Sequence, residues 1–260
     1  MARAMDKYLR PEIKSTPFCP GCGHGILMGS ILRAIDRTAL DMDRVLFVSG
    51  IGCAAWIPSP HFQADTLHTL HGRAIACATG AKLVNPSLTV FVISGDGDLS
   101  SIGGNHLIHA ARRNTDLKVI CANNMIYGMT GGQVASTTPE GGMTSTTPRG
   151  NPHPPFDLCR LVVAAGATYV ARYSVTQPVA LIESIERAIR HQGFSFIEVL
   201  SPCPTQFGRR NQYDQPRDMI AFLMDHCIPL EETDSIKNDT LGEMIITGEF
   251  VKCPKSDRYV

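Results

Sequence analysis

The residue types best suited to chemistry in this chain fall into two sets. In the first, Cys19 and Cys22 bracket Cys19-Pro20-Gly21-Cys22, Cys53 closes Gly50-Ile51-Gly52-Cys53, and Cys203 lies within Pro202-Cys203-Pro204. A Cys-x-x-Cys pair alone serves zinc binding, thiol redox chemistry or an iron–sulfur cluster. A zinc ribbon needs a second such pair, and the sequence has none. A thioredoxin-like pair follows the first strand of its fold, whereas this one precedes a helical pattern with no strand recognisable before it. Four thiolates meeting on one rim of a fold suit an iron–sulfur cube. The second set is Gly95-Asp96-Gly97-Asp98 with Asn123-Asn124 further along. Glycines let a backbone approach a phosphate, and the free N–H groups of a helix start attract anions. Asp96 offers a hard oxygen to Mg²⁺ and the Asn124 side-chain carbonyl offers another; such a site takes few protein oxygens beside those of a phosphate. Read singly, each motif is equally an Asp-capped turn or an Asn-Asn turn. Together, each directly after an apolar run, they are more specific. The two sets point to an enzyme that generates electrons at an organic cofactor and passes them to a metal cluster.

These groups must be positioned by the elements around them. Arg44–Ser49, Leu88–Ser94, Leu117–Ala122 and Phe194–Leu200 read as buried strands, and Thr168–Ala171 as a shorter one. Continuous β-branched runs of this kind suit parallel strands covered on both faces. Helical patterns lie between them at about Gly25–Arg37, Arg73–Val84, Ser100–Arg113, Phe156–Ala165 and Gln177–His191, with another at Asp218–His226. Strand and helix in alternation predict an α/β fold with a doubly wound, mostly parallel sheet. In such a sheet ligands sit beyond the carboxyl ends of the strands. Cys53, Asp96, Asn124 and Cys203 each follow a strand, and Cys19 and Cys22 precede a helix, so every motif is expected on one rim. Met125–Pro155 has no period and is rich in Gly, Thr and Pro; a loop that long is expected to bind something. The expected division is a domain over residues 1–207 and a C-terminal extension over 208–260 that packs on it or on a partner.

The bulk numbers exclude some functions. With 24 basic and 24 acidic residues the formal charge is zero, which argues against a nucleic-acid partner. No apolar run is long enough to span a membrane, and the first residues lack the apolar core of a signal peptide, so a cytoplasmic location is expected. In a reducing compartment the nine cysteines are ligands, catalytic groups or core residues rather than disulfides. Cys77 and Cys159 in helices and Cys121 in a strand read as core. His71-Gly72-Arg73, at a helix start, is equally a phosphate contact or a capping turn. His106 and His109 share a helix face and read as core or interface residues. Gly208-Arg209-Arg210-Asn211 reads as a solvated loop, with an acidic ferredoxin or coenzyme A as the alternative.

Gly95-Asp96-Gly97 with Asn123-Asn124 resembles the thiamine-diphosphate motif of transketolases, pyruvate decarboxylases and 2-oxoacid oxidoreductases. The longer strings Gly95-Asp96-Gly97-Asp98-Leu99-Ser100 and Tyr127-Gly128-Met129-Thr130-Gly131-Gly132-Gln133 are similar to the β subunit of the 2-oxoacid:ferredoxin oxidoreductases. The resemblance spans Cys19 to about Asn211. It implies Mg²⁺ on Asp96, Asn124 and the Ile126 carbonyl, a 4Fe–4S cluster on Cys19, Cys22, Cys53 and Cys203, and thiamine diphosphate near Gly52, His71, Gly95, Asp96, Gly97, Asp98, Asn124, Tyr127, Gly128 and Thr130, with Gln133 beside them. It also implies coenzyme A-dependent oxidative decarboxylation of a 2-oxoacid, with electrons passing to ferredoxin. The string Pro202–Asn211 looks more like the 2-oxoglutarate type than the pyruvate type. A larger α subunit with the pyrimidine-binding domain is expected to supply the glutamate that serves as general acid and base, so no catalytic residue is assigned within this chain. The competing expectations are a pyruvate-type member, a cluster-free thiamine-diphosphate decarboxylase subunit, and a non-catalytic electron-transfer or zinc module.

Overall fold

The structure is a computed structural model and describes residues 5–235 and 244–253. Residues 1–4 of the expected domain, and 236–243 and 254–260 of the expected extension, lie outside the described residues. Among the described residues eight strands make one sheet: β1 (Val45–Ser49), β2 (Asp65–His68), β3 (Thr89–Gly95), β4 (Lys118–Asn123), β5 (Tyr169–Ser174), β6 (Ser195–Leu200), β7 (Cys227–Pro229) and β8 (Ile245–Lys252). Their spatial order is β2-β1-β3-β4-β6-β5-β8-β7. Every neighbouring pair is parallel except β5 with β8. The helices are α1 (His24–Thr38), α2 (Ala74–Val84), α3 (Gly104–Arg112), α4 (Leu158–Ala164), α5 (Pro178–Arg190) and α6 (Pro216–His226).

Alternate residues of the central strands face opposite layers. Phe91 and Ile93 of β3, with Ile120 and Ala122 of β4, join Leu27, Ile31 and Ile35 of α1 and Leu181 and Ile185 of α5 in one core. Val90, Val92, Val119 and Cys121 join Ala78, Leu107, Leu158 and Val162 from α2, α3 and α4 in the other. Two covered faces explain why these strands read as unbroken apolar runs instead of alternating ones. In the first layer Phe47 stacks on Phe91 at 5.1 Å between ring centroids and meets Phe62 edge-on at 5.0 Å. Full burial of one such ring contributes about 1.5–3 kcal/mol.

Three strands escaped the sequence reading. β2 lies at the edge of the sheet with mostly exposed side chains, so it carries no apolar period. β7 is three residues long, and β8 is the antiparallel strand beside β5, both within the expected C-terminal extension. Three side-chain expectations also need correction. Cys77 is exposed, not part of the core. His106 is half-buried and His109 exposed on α3, so of the two readings, core or interface, the core one falls. Arg210 is not a freely solvated cation: its Nη1 donates to Gln206 Oε1 at 2.6 Å and its Nη2 to the Gly131 carbonyl at 3.1 Å.

Candidate active site

The polar pocket grows from the carboxyl ends of β1, β3 and β4. β3 ends at Gly95, and Asp96 leads into a π-helical turn over Gly97–Ile102. Asp96 is 1 % exposed. Its Oδ1 accepts the Asn124 backbone N–H at 3.2 Å, and its Oδ2 accepts the Thr137 hydroxyl. Burial pushes its carboxyl up to about 6, against the pull of the Thr137 hydrogen bond. A wholly buried carboxylate with hydroxyl and amide donors, and with no cationic side chain paired to it among the described residues, fits a seat for a hard metal ion. Gly97 must be glycine: a β-carbon there would come within 2.5 Å of the Tyr127 ring, whose hydroxyl donates to the Gly97 carbonyl at 3.0 Å.

Asp98 ties three segments together. It accepts the Gly72 N–H at 2.8 Å and the Ile51 N–H at 3.2 Å, and it also accepts the Ser94 hydroxyl and pairs with His71 Nδ1. That pairing turns the other nitrogen of the His71 ring away from Asp98, with His71 lining the pocket. Asn124 and Ile126 line the same pocket, as do Gly52, Gly95, Tyr127, Gly128 and Thr130. Thr130 bonds within its own loop, its hydroxyl donating to Gln133 Oε1 at 2.6 Å; Gln133 folds back to the Thr130 carbonyl.

Beside this pocket lies a cavity of about 400 Å³ lined by all four singled-out cysteines, Cys19, Cys22, Cys53 and Cys203. All nine cysteines of the chain are free thiols. Cys22 N–H donates to the Cys19 carbonyl at 3.0 Å, and Gly21 between them holds φ +79°. A side chain at Gly21 would be strained and would strike Pro216 of α6 at 2.3 Å. The Thr205 hydroxyl lies 3.7 Å from Cys19 Sγ and 3.8 Å from Cys203 Sγ. A β-carbon on Gly128 would lie 3.4 Å from Cys203 Sγ, 4.0 Å from Cys53 Sγ and 3.6 Å from Asn124 Nδ2, so these three groups converge on one glycine. Burial, reinforced by the neighbouring thiols, pushes the Cys22 thiol up to about 12 and the Cys53 thiol up to about 11. Bound iron would reverse that penalty, because a coordinated thiol is deprotonated. Among the described residues, no three His, Cys, Asp or Glu side chains close on a point suited to a single metal ion.

Polar pocket and thiol cavity share one wall: His24, Cys53, Asn124, Gly128 and Met129 line both. His24, the first residue of α1, is buried, its Nδ1 is 2.7 Å from Ser201 Oγ, and burial lowers its pKa to about 4.

Residues 50–199 match the thiamine pyrophosphate enzyme C-terminal, TPP-binding domain family. The chain is 48 % identical over 251 residues to 2-oxoglutarate synthase subunit KorB of Methanothermobacter thermautotrophicus, covering 96 % of this chain and 87 % of that one. It is 43 % identical over 197 residues to the 2-oxoacid:ferredoxin oxidoreductase subunit beta of Saccharolobus solfataricus, covering 75 % and 64 %. A solved 2-oxoglutarate:ferredoxin oxidoreductase from Magnetococcus marinus, with 2-oxoglutarate, coenzyme A and succinyl-CoA bound, superposes with a TM-score of 0.85 at 33 % identity, covering 98 % of this chain and 86 % of that one. The chain belongs to the β subunits of the 2-oxoacid:ferredoxin oxidoreductases.

Several groups around the site of this β subunit had no signal in the sequence. Thr137, which holds Asp96, sits in a Ser-Thr-Thr run with nothing to distinguish one hydroxyl from the next. His24, two residues after Cys22, carries no mark in the sequence of its place in the dividing wall. Trp56 and Phe18 line the thiol cavity, Trp56 at the end of the short turn that begins at Cys53. No helix among the described residues of this β subunit is long and apolar enough to cross a membrane.

Proposed function

We propose that this β subunit holds thiamine diphosphate and Mg²⁺ in the pocket at Asp96, Asn124 and Ile126, holds a 4Fe–4S cluster on Cys19, Cys22, Cys53 and Cys203, and serves a coenzyme A-dependent oxidation of 2-oxoglutarate to succinyl-CoA and carbon dioxide, with ferredoxin as electron acceptor. The observation that carries the reading is the shared wall. The pocket lined by Asp96, Asn124 and Ile126 abuts the cavity lined by the four cysteines, and His24, Cys53, Asn124, Gly128 and Met129 line both. The substrate assignment rests on the relatives named 2-oxoglutarate synthase and on the solved oxidoreductase with 2-oxoglutarate bound.

When bound, thiamine diphosphate supplies a nucleophilic carbon and an electron sink for loss of carbon dioxide, and a cluster supplies an acceptor that takes electrons singly. This chain's residues do the holding. Asp96 and the Asn124 side chain offer oxygens to the metal, and the backbone beginning at Gly95 lets the phosphates approach. Asp98 fixes the direction of the His71 ring. His24, kept neutral by burial, adds no positive charge to the wall. The general acid and base come from a companion subunit in this reading, so the chain expressed alone shows no 2-oxoacid oxidation even when loaded.

Anaerobic purification with the companion subunit tests the reading through a visible spectrum, assays for iron, zinc and thiamine, and ferredoxin reduction with 2-oxoglutarate or pyruvate in the presence of coenzyme A. A brown, iron- and thiamine-containing protein that prefers 2-oxoglutarate is expected. A colourless, iron-free preparation with full activity would overturn the cluster; preference for pyruvate would overturn the substrate.

A further inference from the structure

Asn123, the last residue of β4, neighbours the candidate metal ligand Asn124, but its own side chain is buried and works elsewhere. Its Nδ2 donates to Glu198 Oε1 at 2.7 Å, and its Oδ1 accepts the Met125 N–H at 2.9 Å. Met125 has φ +63°, in the left-handed region that a side chain rarely adopts. This residue lies between Asn124 and Ile126, so the turn offered to the metal is strained at its centre. The Thr138 hydroxyl holds the Met125 carbonyl from the other side at 2.7 Å.

Glu198 is 2 % exposed in β6. Its Oε2 accepts Arg172 Nε from β5 at 2.7 Å, and Arg172 Nη2 donates to Asp157 Oδ1 at 2.6 Å. A polar row thus crosses three neighbouring strands, from Asn123 through Glu198 to Arg172, and ends on Asp157 at the start of α4. A buried ion pair is a weak source of stability, since an apolar pair of similar shape serves as well. What an apolar pair lacks is an oxygen for Asn123.

We propose that Glu198 is a positioning residue for the metal seat: by orienting Asn123 it holds Met125 in its strained conformation and keeps the Asn124–Ile126 turn against Asp96. The proposal rests on the assignment of Mg²⁺ to that turn. Glu198→Gln is the incisive change. Glutamate presents Oε1 to Asn123 Nδ2 and Oε2 to Arg172 Nε, with the Cys159 thiol also against Oε2 at 3.4 Å. Glutamine has one such oxygen, so its amino group must face one of them. If it faces Asn123, the Asn123 amide turns over and Oδ1 leaves the Met125 N–H.

The test measures the apparent Kd of Mg²⁺, in the presence of thiamine diphosphate, by calorimetry on the metal-depleted complex with its companion subunit. Glu198→Gln is expected to weaken it about 10-fold or more, the usual range when a group behind a metal ligand is lost. Met125→Gly removes the strain, since glycine adopts positive φ freely. The same Glu198→Gln change should therefore cost about 3-fold or less when made in Met125→Gly protein, a coupling that a general loss of stability does not produce. Asn123→Ala should repeat both results and stands in if Glu198→Gln does not fold. Equal losses in the two backgrounds, or no loss in either, would overturn the proposal. Asp96→Ala separates the two levels: if it leaves Mg²⁺ binding intact, the metal assignment itself fails; if it abolishes binding while Glu198→Gln and Asn123→Ala are silent, only the positioning role fails.

Discussion

The two halves of the site are built on different plans. In and behind the polar pocket the main groups rest on other parts of the protein: Asp96 on Thr137, Asp98 on four donors, and, behind the pocket, Asn123 on Glu198 and Met125 on Thr138. In the thiol cavity the side chains have few polar partners, although Cys203 packs on Ile126, Phe207 and Met219. Cys19 and Cys203 have long contacts with one threonine hydroxyl, and Cys19 is exposed. The difference teaches which half is shaped by the fold and which by its occupant. Preorganised polar groups are held in place before anything binds. Thiols on three separate segments cost conformational entropy to bring together, and the cluster proposed there would supply the offsetting free energy.

The largest effects should therefore separate the halves. Asp96→Ala is expected to abolish thiamine diphosphate retention while iron content stays near normal. Cys19→Ser, Cys22→Ser, Cys53→Ser or Cys203→Ser should each strip iron and ferredoxin reduction while thiamine diphosphate is still retained. Iron and thiamine assays on the same preparations decide it. Full thiamine diphosphate affinity in Asp96→Ala, or full iron in Cys203→Ser, would break the division.

A smaller effect should appear in dynamics. Removing iron is expected to raise amide exchange at 17–24 and 203–208, the segments that carry three of the four thiols. Removing Mg²⁺ and thiamine diphosphate should leave exchange at 94–98 and 119–126 nearly unchanged, because hydrogen bonds within the protein already hold those residues. Hydrogen exchange by mass spectrometry reads both. Equal loosening of the two halves would mean that the polar pocket also depends on its ligands.

The same contrast explains what the sequence could reveal. The central strands were legible because burial on both faces leaves an unbroken apolar run, as in Thr89–Gly95. The ligand candidates were legible because their residue types and their places after strands are local facts: Asp96 after β3, Asn124 after β4. The supports were not. Glu198 reads as one acidic residue in an apolar strand, and only the register that sets it opposite Arg172 and diagonal to Asn123 gives it a partner. Thr137 reaches Asp96 across a loop with no period. β8 pairs with β5 over a long separation, and such pairing leaves no local mark. Types and spacing show what a site contains; long-range contacts decide how firmly it is held.

The smallest expected effects concern the cysteines outside the cavity, which serve as controls for the comparison. None of Cys77, Cys121 and Cys159 lines the cavity, so serine at any of them should leave iron content unchanged. Their stabilities should differ by environment. Cys121 is wholly buried in β4 among apolar side chains, and a serine hydroxyl there should cost about 1–3 kcal/mol if it finds no partner. Cys159 is equally buried, but its Sγ lies 3.4 Å from Glu198 Oε2 and 3.6 Å from the Ala171 carbonyl. A hydroxyl at that position has acceptors within reach, so Cys159→Ser should cost less than Cys121→Ser. Cys77 is exposed on α2, and its replacement should change stability by no more than about 0.5 kcal/mol. Urea unfolding of the three variants gives the order directly. A loss at Cys77→Ser as large as at Cys121→Ser would show that α2 is covered in the working protein by something the isolated chain lacks, and iron loss at any of the three would redraw the boundary of the thiol cavity.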